Sequence, residues 1–127
     1  MKTIRDVMQA EPISVRPGDS LHRALELLVE NEISGLPVVD DAGRLVGVLS
    51  EKDVLKIFYE PELETVESLM SPDPVAVPVD GELVDVVDRL MANDFRRVFV
   101  HEDDRPVGLV SRADLMPALL SVLLERS

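Results

Sequence analysis

Two short segments carry groups that could hold a phosphorylated sugar. Gly47-Val48-Leu49-Ser50-Glu51-Lys52-Asp53 and Gly108-Leu109-Val110-Ser111-Arg112-Ala113-Asp114 share one form: glycine, two apolar residues, serine, two variable residues, aspartate. Each follows an apolar run of strand type and opens a helical segment, so the serine falls at a strand-to-helix junction. The first N–H groups of a helix lack intrahelical partners and carry the positive end of its dipole. Hydroxyl, amides and dipole together favour a phosphate there. The aspartate lies one turn further on, and an ionised carboxylate accepts two hydrogen bonds from a ribose diol. The same spacing also describes a capping box, in which the serine caps the helix and the acid reaches back to it. Spacing alone leaves both readings open.

The elements that must position these groups are written twice. A shift of 62 residues sets Asp6-Val7-Met8 against Ser68-Leu69-Met70 and Pro12-Ile13-Ser14-Val15 against Pro74-Val75-Ala76-Val77. It also sets Glu30-Asn31-Glu32-Ile33 against Ala92-Asn93-Asp94-Phe95, and after one deletion a shift of 61 aligns the two serine–aspartate segments. Self-similarity of this kind signals a repeat architecture. In each copy a short β-type run, Ile13–Val15 or Val75–Val77, is followed by a turn and an amphipathic helix. Leu21, Ala24, Leu25, Leu28 and Val29 recur at helical spacing, as do Leu83, Val86, Val87, Leu90 and Met91. Strands over 36–39 and 45–49, and over 98–100 and 107–110, are joined by polar loops at 40–44 and 102–106. A second helix starts near Ser50 or Ser111. The expected fold is therefore α+β: two β-α-β-β-α repeats, residues 1–62 and 63–127, in one compact tandem module with one core. A copy of about 60 residues buries too little surface to be comfortable alone. The two are expected to pack about a pseudo-twofold axis with related clefts between them, favoured places for a ligand.

Composition narrows the function. The chain has 127 residues, 46% of them apolar, no cysteine, and a formal charge of −12 from 25 acidic and 13 basic residues. The acidic excess runs through both halves and disfavours nucleic acid and anionic membranes as principal partners. The start of the chain has no signal-peptide pattern. Leu115–Leu124, the longest apolar-rich stretch, contains Pro117 and Ser121 and is short of the roughly 20 residues of a membrane span. A cytoplasmic protein is expected. His22 and His101 are far apart and have no metal-ligand spacing. Asp40-Asp41 and Glu102-Asp103-Asp104 fall in hairpin loops, where acidic residues are solvated turn formers, so no metal site is expected. Both histidines read as surface residues.

The Met-x-x-x-Pro openings (Met8–Pro12, Met70–Pro74), the Gly35-Leu36-Pro37-Val38-Val39-Asp40 segment and the paired serine–aspartate endings together resemble the CBS (cystathionine β-synthase) domain family over almost the whole chain. The resemblance implies a mixed-sheet fold, a tandem pair that assembles as a disc-like homodimer, and AMP, ADP, ATP or S-adenosylmethionine as ligand. It places ribose-binding carboxylates at Asp53 and Asp114 and phosphate-side hydroxyls at Ser50 and Ser111. It places adenine-lining positions at Ile13, Val15, Gly35, Leu36 and Pro37, and at Val75, Val77, Arg97, Val98 and Phe99. The second copy departs from the first where Arg96-Arg97-Val98-Phe99 replaces Ser34-Gly35-Leu36-Pro37. Arg96, Arg97, Arg105 and Arg112 gather in segments expected to border the second cleft, and arginine can clamp phosphate bidentately. The second cleft is therefore expected to prefer the more highly phosphorylated ligand. The first, near Arg44 and Lys52, is expected to prefer less charge or to stay empty.

The closing helix carries Leu115, Met116, Ala118, Leu119, Leu120, Val122, Leu123 and Leu124, more apolar surface than one stripe, which fits a homodimer contact. No cysteine nucleophile, serine–histidine–aspartate pattern, phosphate-loop motif or metal cluster points to catalysis, so no enzyme and no catalytic cofactor are expected. The leading expectation is a regulatory nucleotide sensor read by an unidentified protein partner in trans. The alternative is a structural dimerisation module whose serine–aspartate motifs are helix caps alone.

Overall fold

The computed structural model describes residues 2–10, 13–72, 74–92 and 97–126. The chain forms two compact units, one from Pro12–Pro74 and one from Met1–Glu11 with Val75–Ser127. We call them the central and the split unit. The packing units are thus offset from the sequence repeats by the opening segment of each copy. Instead of the single core expected, each unit closes an apolar cluster of its own.

In chain order the elements are α1 (Ile4–Val7), β1 (Gln9–Ala10), α2 (Leu21–Glu30), β2 (Gly35–Val39), β3 (Leu45–Ser50), α3 (Glu51–Val54) and a 3-10 turn (Leu55–Phe58). They continue with α4 (Val66–Leu69), β4 (Ala76–Pro78), α5 (Leu83–Ala92), β5 (Arg97–Glu102), β6 (Arg105–Ser111) and α6 (Arg112–Glu125).

In the split unit four strands run in the order β1-β6-β5-β4, antiparallel except for the parallel β4–β5 pair. The central unit repeats this order with smaller edges. β2 and β3 pair antiparallel, Val15 bridges Val38 in parallel, and Ser71 bridges Val48 antiparallel. The β-run expected over Ile13–Val15 thus shrinks to a single bridge. Val15 N–H donates to the Pro37 carbonyl (3.0 Å) and Val39 N–H to the Val15 carbonyl (2.8 Å) before the turn at Arg16–Asp19 ends the pairing. The β5–β6 hairpin is tighter than expected: Asp103 and Asp104 both take positive φ (52° and 63°), the signature of a two-residue turn. In the other hairpin Gly43 supplies the positive φ (83°).

Helical period and strand alternation fill the two cores. Val15, Leu21, Ala24, Leu28, Leu36, Val38, Leu49, Val66 and Leu69 are buried together in the central unit. Ile4, Val77, Val86, Leu90, Val98, Val100, Val110 and Leu115 are buried together in the split unit. Burying one such aliphatic side chain contributes about 1.5–3 kcal/mol. Leu25, Val29 and Met91, expected on the apolar stripes, are exposed. Among the described residues no helix is long and apolar enough to cross a membrane.

Candidate functional site

Ser50 closes β3 and caps α3. Its hydroxyl accepts from Asp53 N–H (3.2 Å), while its own N–H and hydroxyl donate to Asp53 Oδ2 (3.0 and 2.9 Å). Ser111 does the same for α6. Its hydroxyl accepts from Asp114 N–H (3.4 Å), and its N–H and hydroxyl donate to Asp114 Oδ2 (2.8 and 2.9 Å). Both serine–aspartate motifs are therefore capping boxes. The cap engages Oδ2 and fixes the carboxylate in place, and Oδ1 takes no part in it. Cap and ligand contact are compatible on one carboxylate, which has about four lone-pair sites.

The opening segment of the repeat supplies a further partner that sequence reasoning missed. Ser71 Oγ lies 3.4 Å from both oxygens of Asp53, and Gln9 Nε2 lies 3.3 and 3.2 Å from Asp114 Oδ1 and Oδ2. Positions 9 and 71 are equivalent under the 62-residue shift, so the signal was present in the alignment of Met8-Gln9 with Met70-Ser71. The motif glycines let these segments in. A Cβ on Gly47 would stand 2.8 Å from the Ser71 carbonyl oxygen, and one on Gly108 would stand 2.8 Å from the Gln9 carbonyl oxygen and 2.6 Å from Met8 Sδ. Close backbone approach requires glycine at both places.

The two carboxylates differ in setting. Asp53 is 6% exposed and has Lys56 Nζ at 3.8 Å from Oδ1. Asp114 is half-buried. α3 is a single turn that tightens into the 3-10 segment, whereas α6 runs for 14 residues, so the dipole argument for an anion applies to Ser111 and not to Ser50.

Each expected set of contact residues falls within one unit. Gly35 pairs with Ser50, Leu36 with Leu49 and Pro37 with Val48 across the β2–β3 ladder. Arg97 pairs with Ser111, Val98 with Val110 and Phe99 with Leu109 across β5–β6. Directly opposed residues share a sheet face, so Gly35, Pro37 and Ser50 lie on one face, and Arg97, Phe99 and Ser111 on the matching face of the other unit. Val15, Leu36, Val77 and Val98 are buried in the apolar cores. In the split unit Ala76, paired with Phe99, reaches the serine-bearing face that Val77 does not. Pro37 and Phe99 are buried, Gly35, Val75 and Arg97 are half-buried, and Ile13 and Arg112 are exposed. Arg96 lies outside the described residues.

Elsewhere in the central unit a pocket of about 540 Å³ is lined by Ser14–Arg16, Asp19 and Val39–Gly43. Of the expected contact residues it includes Val15 and not the Ser50–Asp53 pair. His22 is exposed and pairs with Glu26 (3.1 Å). His101 is not the simple surface residue expected, since it is half-buried and its Nδ1 is buried without a hydrogen-bond partner. Among the described residues no group of three or more histidine, aspartate or glutamate side chains could hold a metal ion.

Two β-α-β-β-α copies, each ending in a carboxylate fixed at a strand-to-helix junction, define a tandem repeat module. The model of the CBS domain matches residues 4–60 and 66–121, and the chain belongs to that family. Its fold follows CBSX2 of Arabidopsis thaliana, solved in complex with AMP, at 34% identity over 96% of this chain and 98% of that one, with a TM-score of 0.85. The CBS domain pair of protein MJ0100, solved with 5′-methylthioadenosine and S-adenosyl-L-methionine, matches at 25% identity over 93% and 99% of the two chains, TM-score 0.82. Hypoxic response protein 1 of Mycobacterium tuberculosis, solved with two coordinated zinc ions, matches at 26% identity over 93% and 99%, TM-score 0.79. The chain spans 42%, 23% and 60% of the lengths of three curated relatives it matches, the last being CBSX2.

Proposed function

We propose that this chain is a non-catalytic regulatory module that binds an adenosyl ligand and conveys occupancy through its conformation or dimer geometry to a protein partner in trans. The observation that carries the reading is the paired carboxylate. Asp53 and Asp114 stand at equivalent places, each locked by its serine through Oδ2 while Oδ1 stays outside the cap. The AMP and S-adenosylmethionine held by the related pairs support the ligand class. Ser50, and Ser111 with Arg97 and Arg112, serve the phosphate side. The sugar rests on Asp53 or Asp114, and the adenine on the accessible parts of Ile13 and Val75 with their neighbours. Arg97 and Arg112 direct the more highly phosphorylated ligand, ADP or ATP, to the split unit.

Exposed apolar residues support a homodimer. Leu55, Phe58 and Tyr59 are 60%, 87% and 87% exposed after α3, and their counterparts Met116, Leu119 and Leu120 are exposed on α6. Exposed apolar surface of this kind marks an association face. The cytoplasm is the proposed compartment.

The capping boxes favour a second reading, a ligand-free dimerisation module. Isothermal titration with AMP, ATP and S-adenosylmethionine separates the two, run on the wild type and on Asp53→Asn and Asp114→Asn. Asparagine keeps one oxygen for the cap and removes the second acceptor. Saturable binding that weakens in one variant, with melting temperature nearly unchanged, supports the sensor. Flat titrations from folded, nucleotide-free protein support the dimerisation module.

A further inference from the structure

The two carboxylates are committed to different partners before any ligand arrives. Asp114 receives Ser111 N–H and hydroxyl on Oδ2, and Gln9 Nε2 spans both of its oxygens at 3.2–3.3 Å. At near-equal distances the Gln9 amide shares one N–H between the two oxygens, and its second N–H points away from them. Ser71, the counterpart at Asp53, has one hydroxyl proton, stands 3.4 Å from both oxygens, and can serve one of them weakly. Gln9 is held at its post by backbone: its strand pairs with β6 at Leu109, and Gly108 leaves room for that approach.

Resting on the adenosyl-ligand reading, we infer that Gln9 is a specificity-determining residue, an internal competitor that occupies the Asp114 carboxylate in place of the ribose hydroxyls. A ribose diol brings two donors to the same two oxygens, so Gln9 must withdraw before it binds. Replacing a hydrogen bond already made to a charged group removes most of the gain from making a new one. At Asp53 the diol displaces a long hydroxyl contact and an exposed lysine. The Asp53 site therefore fills at lower ligand concentration than the Asp114 site, and the residue at 9 or 71 sets the difference. A ligand that also engages Arg97 and Arg112 regains at the second site what the displacement of Gln9 costs.

The test exchanges the two residues and reads each site alone by titration with AMP. With Asp53→Asn silencing the first site, Gln9→Ser is expected to tighten AMP binding at Asp114 by about tenfold. With Asp114→Asn silencing the second, Ser71→Gln is expected to weaken binding at Asp53 by a similar factor. Gln9→Ala and Gln9→Ser on the otherwise unchanged chain guard against a background that fails to fold. There the weaker of two binding phases should tighten. A residue of merely structural importance would lose affinity when replaced, so the gain is diagnostic. AMP binding that is unchanged or weakened by Gln9→Ser overturns the inference while leaving nucleotide binding intact. No AMP binding by the wild type or any variant overturns the nucleotide reading and this inference with it.

Discussion

The central and split units are two solutions from one repeat, and they differ most where the chain crosses from strand to helix. Both end a strand in serine, cap the next helix with that serine, and hold an aspartate by the cap. In the central unit the helix stops after one turn, the carboxylate is buried, and Gly35 and Glu51 occupy the places that Arg97 and Arg112 occupy in the split unit. The split unit thus presents a long helix and two cations flanking its serine. The central unit has a small residue and an acid at those places, and its cation, Lys56, lies 3.8 Å from the Asp53 carboxylate. One scaffold therefore sets two different electrostatic environments around equivalent carboxylates.

If the motif glycines exist to admit residues 9 and 71, alanine there should strain both units. Gly47→Ala drives a Cβ against the Ser71 carbonyl and Gly108→Ala drives one against the Gln9 carbonyl, each at 2.8 Å and neither able to rotate away. Overpacking of this kind costs about 1–3 kcal/mol, measurable by urea unfolding. The units should respond differently. A Cβ on Gly108 also meets Met8 Sδ at 2.6 Å, against 3.1 Å from Gly47 to Met70 Sδ, so Gly108→Ala should raise hydrogen exchange at Gln9 and Ala10 more than Gly47→Ala raises it at Ser71. Equal opening in both would remove the distinction.

The repeat was legible because its helix stripes and serine–aspartate endings are local patterns with a fixed period. Leu21, Ala24, Leu28, Val86 and Leu90 are buried as that period requires. What was not legible is tertiary. Nothing in the spacing of Met8 to Pro12 says that Gln9 will pair with Leu109 and not within its own copy, because ladder partners are chosen by packing across the chain. Sheet parity was hidden for the same reason. The resemblance puts Val15 and Val77 among adenine-lining positions, and the register buries both in the cores and brings Ala76 to the serine-bearing face. The capping box was visible in the sequence as an alternative, and the geometry shows it at both motifs.

Exchange of cations is the sharper test of the electrostatic difference. Gly35 has room for a side chain, since a Cβ there meets the Leu49 carbonyl at 3.5 Å, an ordinary contact. Gly35→Arg should therefore fold and raise the preference of the Asp53 site for ATP over AMP by roughly tenfold, ~1.4 kcal/mol. Arg97→Gly should lower that preference at the Asp114 site by a similar factor. Titrations at two ionic strengths should show both shifts shrinking with salt. A preference that ignores both substitutions would leave phosphate number unexplained by these residues.

The smallest expected effect comes from the opening helices α1 and α4. Thr3 and Asp6 form a full capping box on α1: Thr3 N–H donates to Asp6 Oδ2 (2.9 Å) and Asp6 N–H to Thr3 Oγ1 (3.3 Å). At the equivalent places Thr65 makes no side-chain cap and Ser68 turns its hydroxyl to the Thr65 carbonyl. Ser68→Asp should build the missing box and add a few tenths of a kcal/mol. The Thr3 backbone N–H, then its hydroxyl, holds the Asp6 carboxyl below its ordinary value of 3.8. A depressed native pKa means the stabilisation is complete above 3.8 and is lost as pH falls through the lower native value. Melting curves of the wild type and Asp6→Ser should therefore differ at neutral pH and converge in acid, whereas Ser68→Asp should gain its advantage over the wild type as pH rises. If the Asp6→Ser difference persists unchanged into acid, the cap is not held by the ionised carboxylate, and α1 owes its place to Ile4 in the core alone.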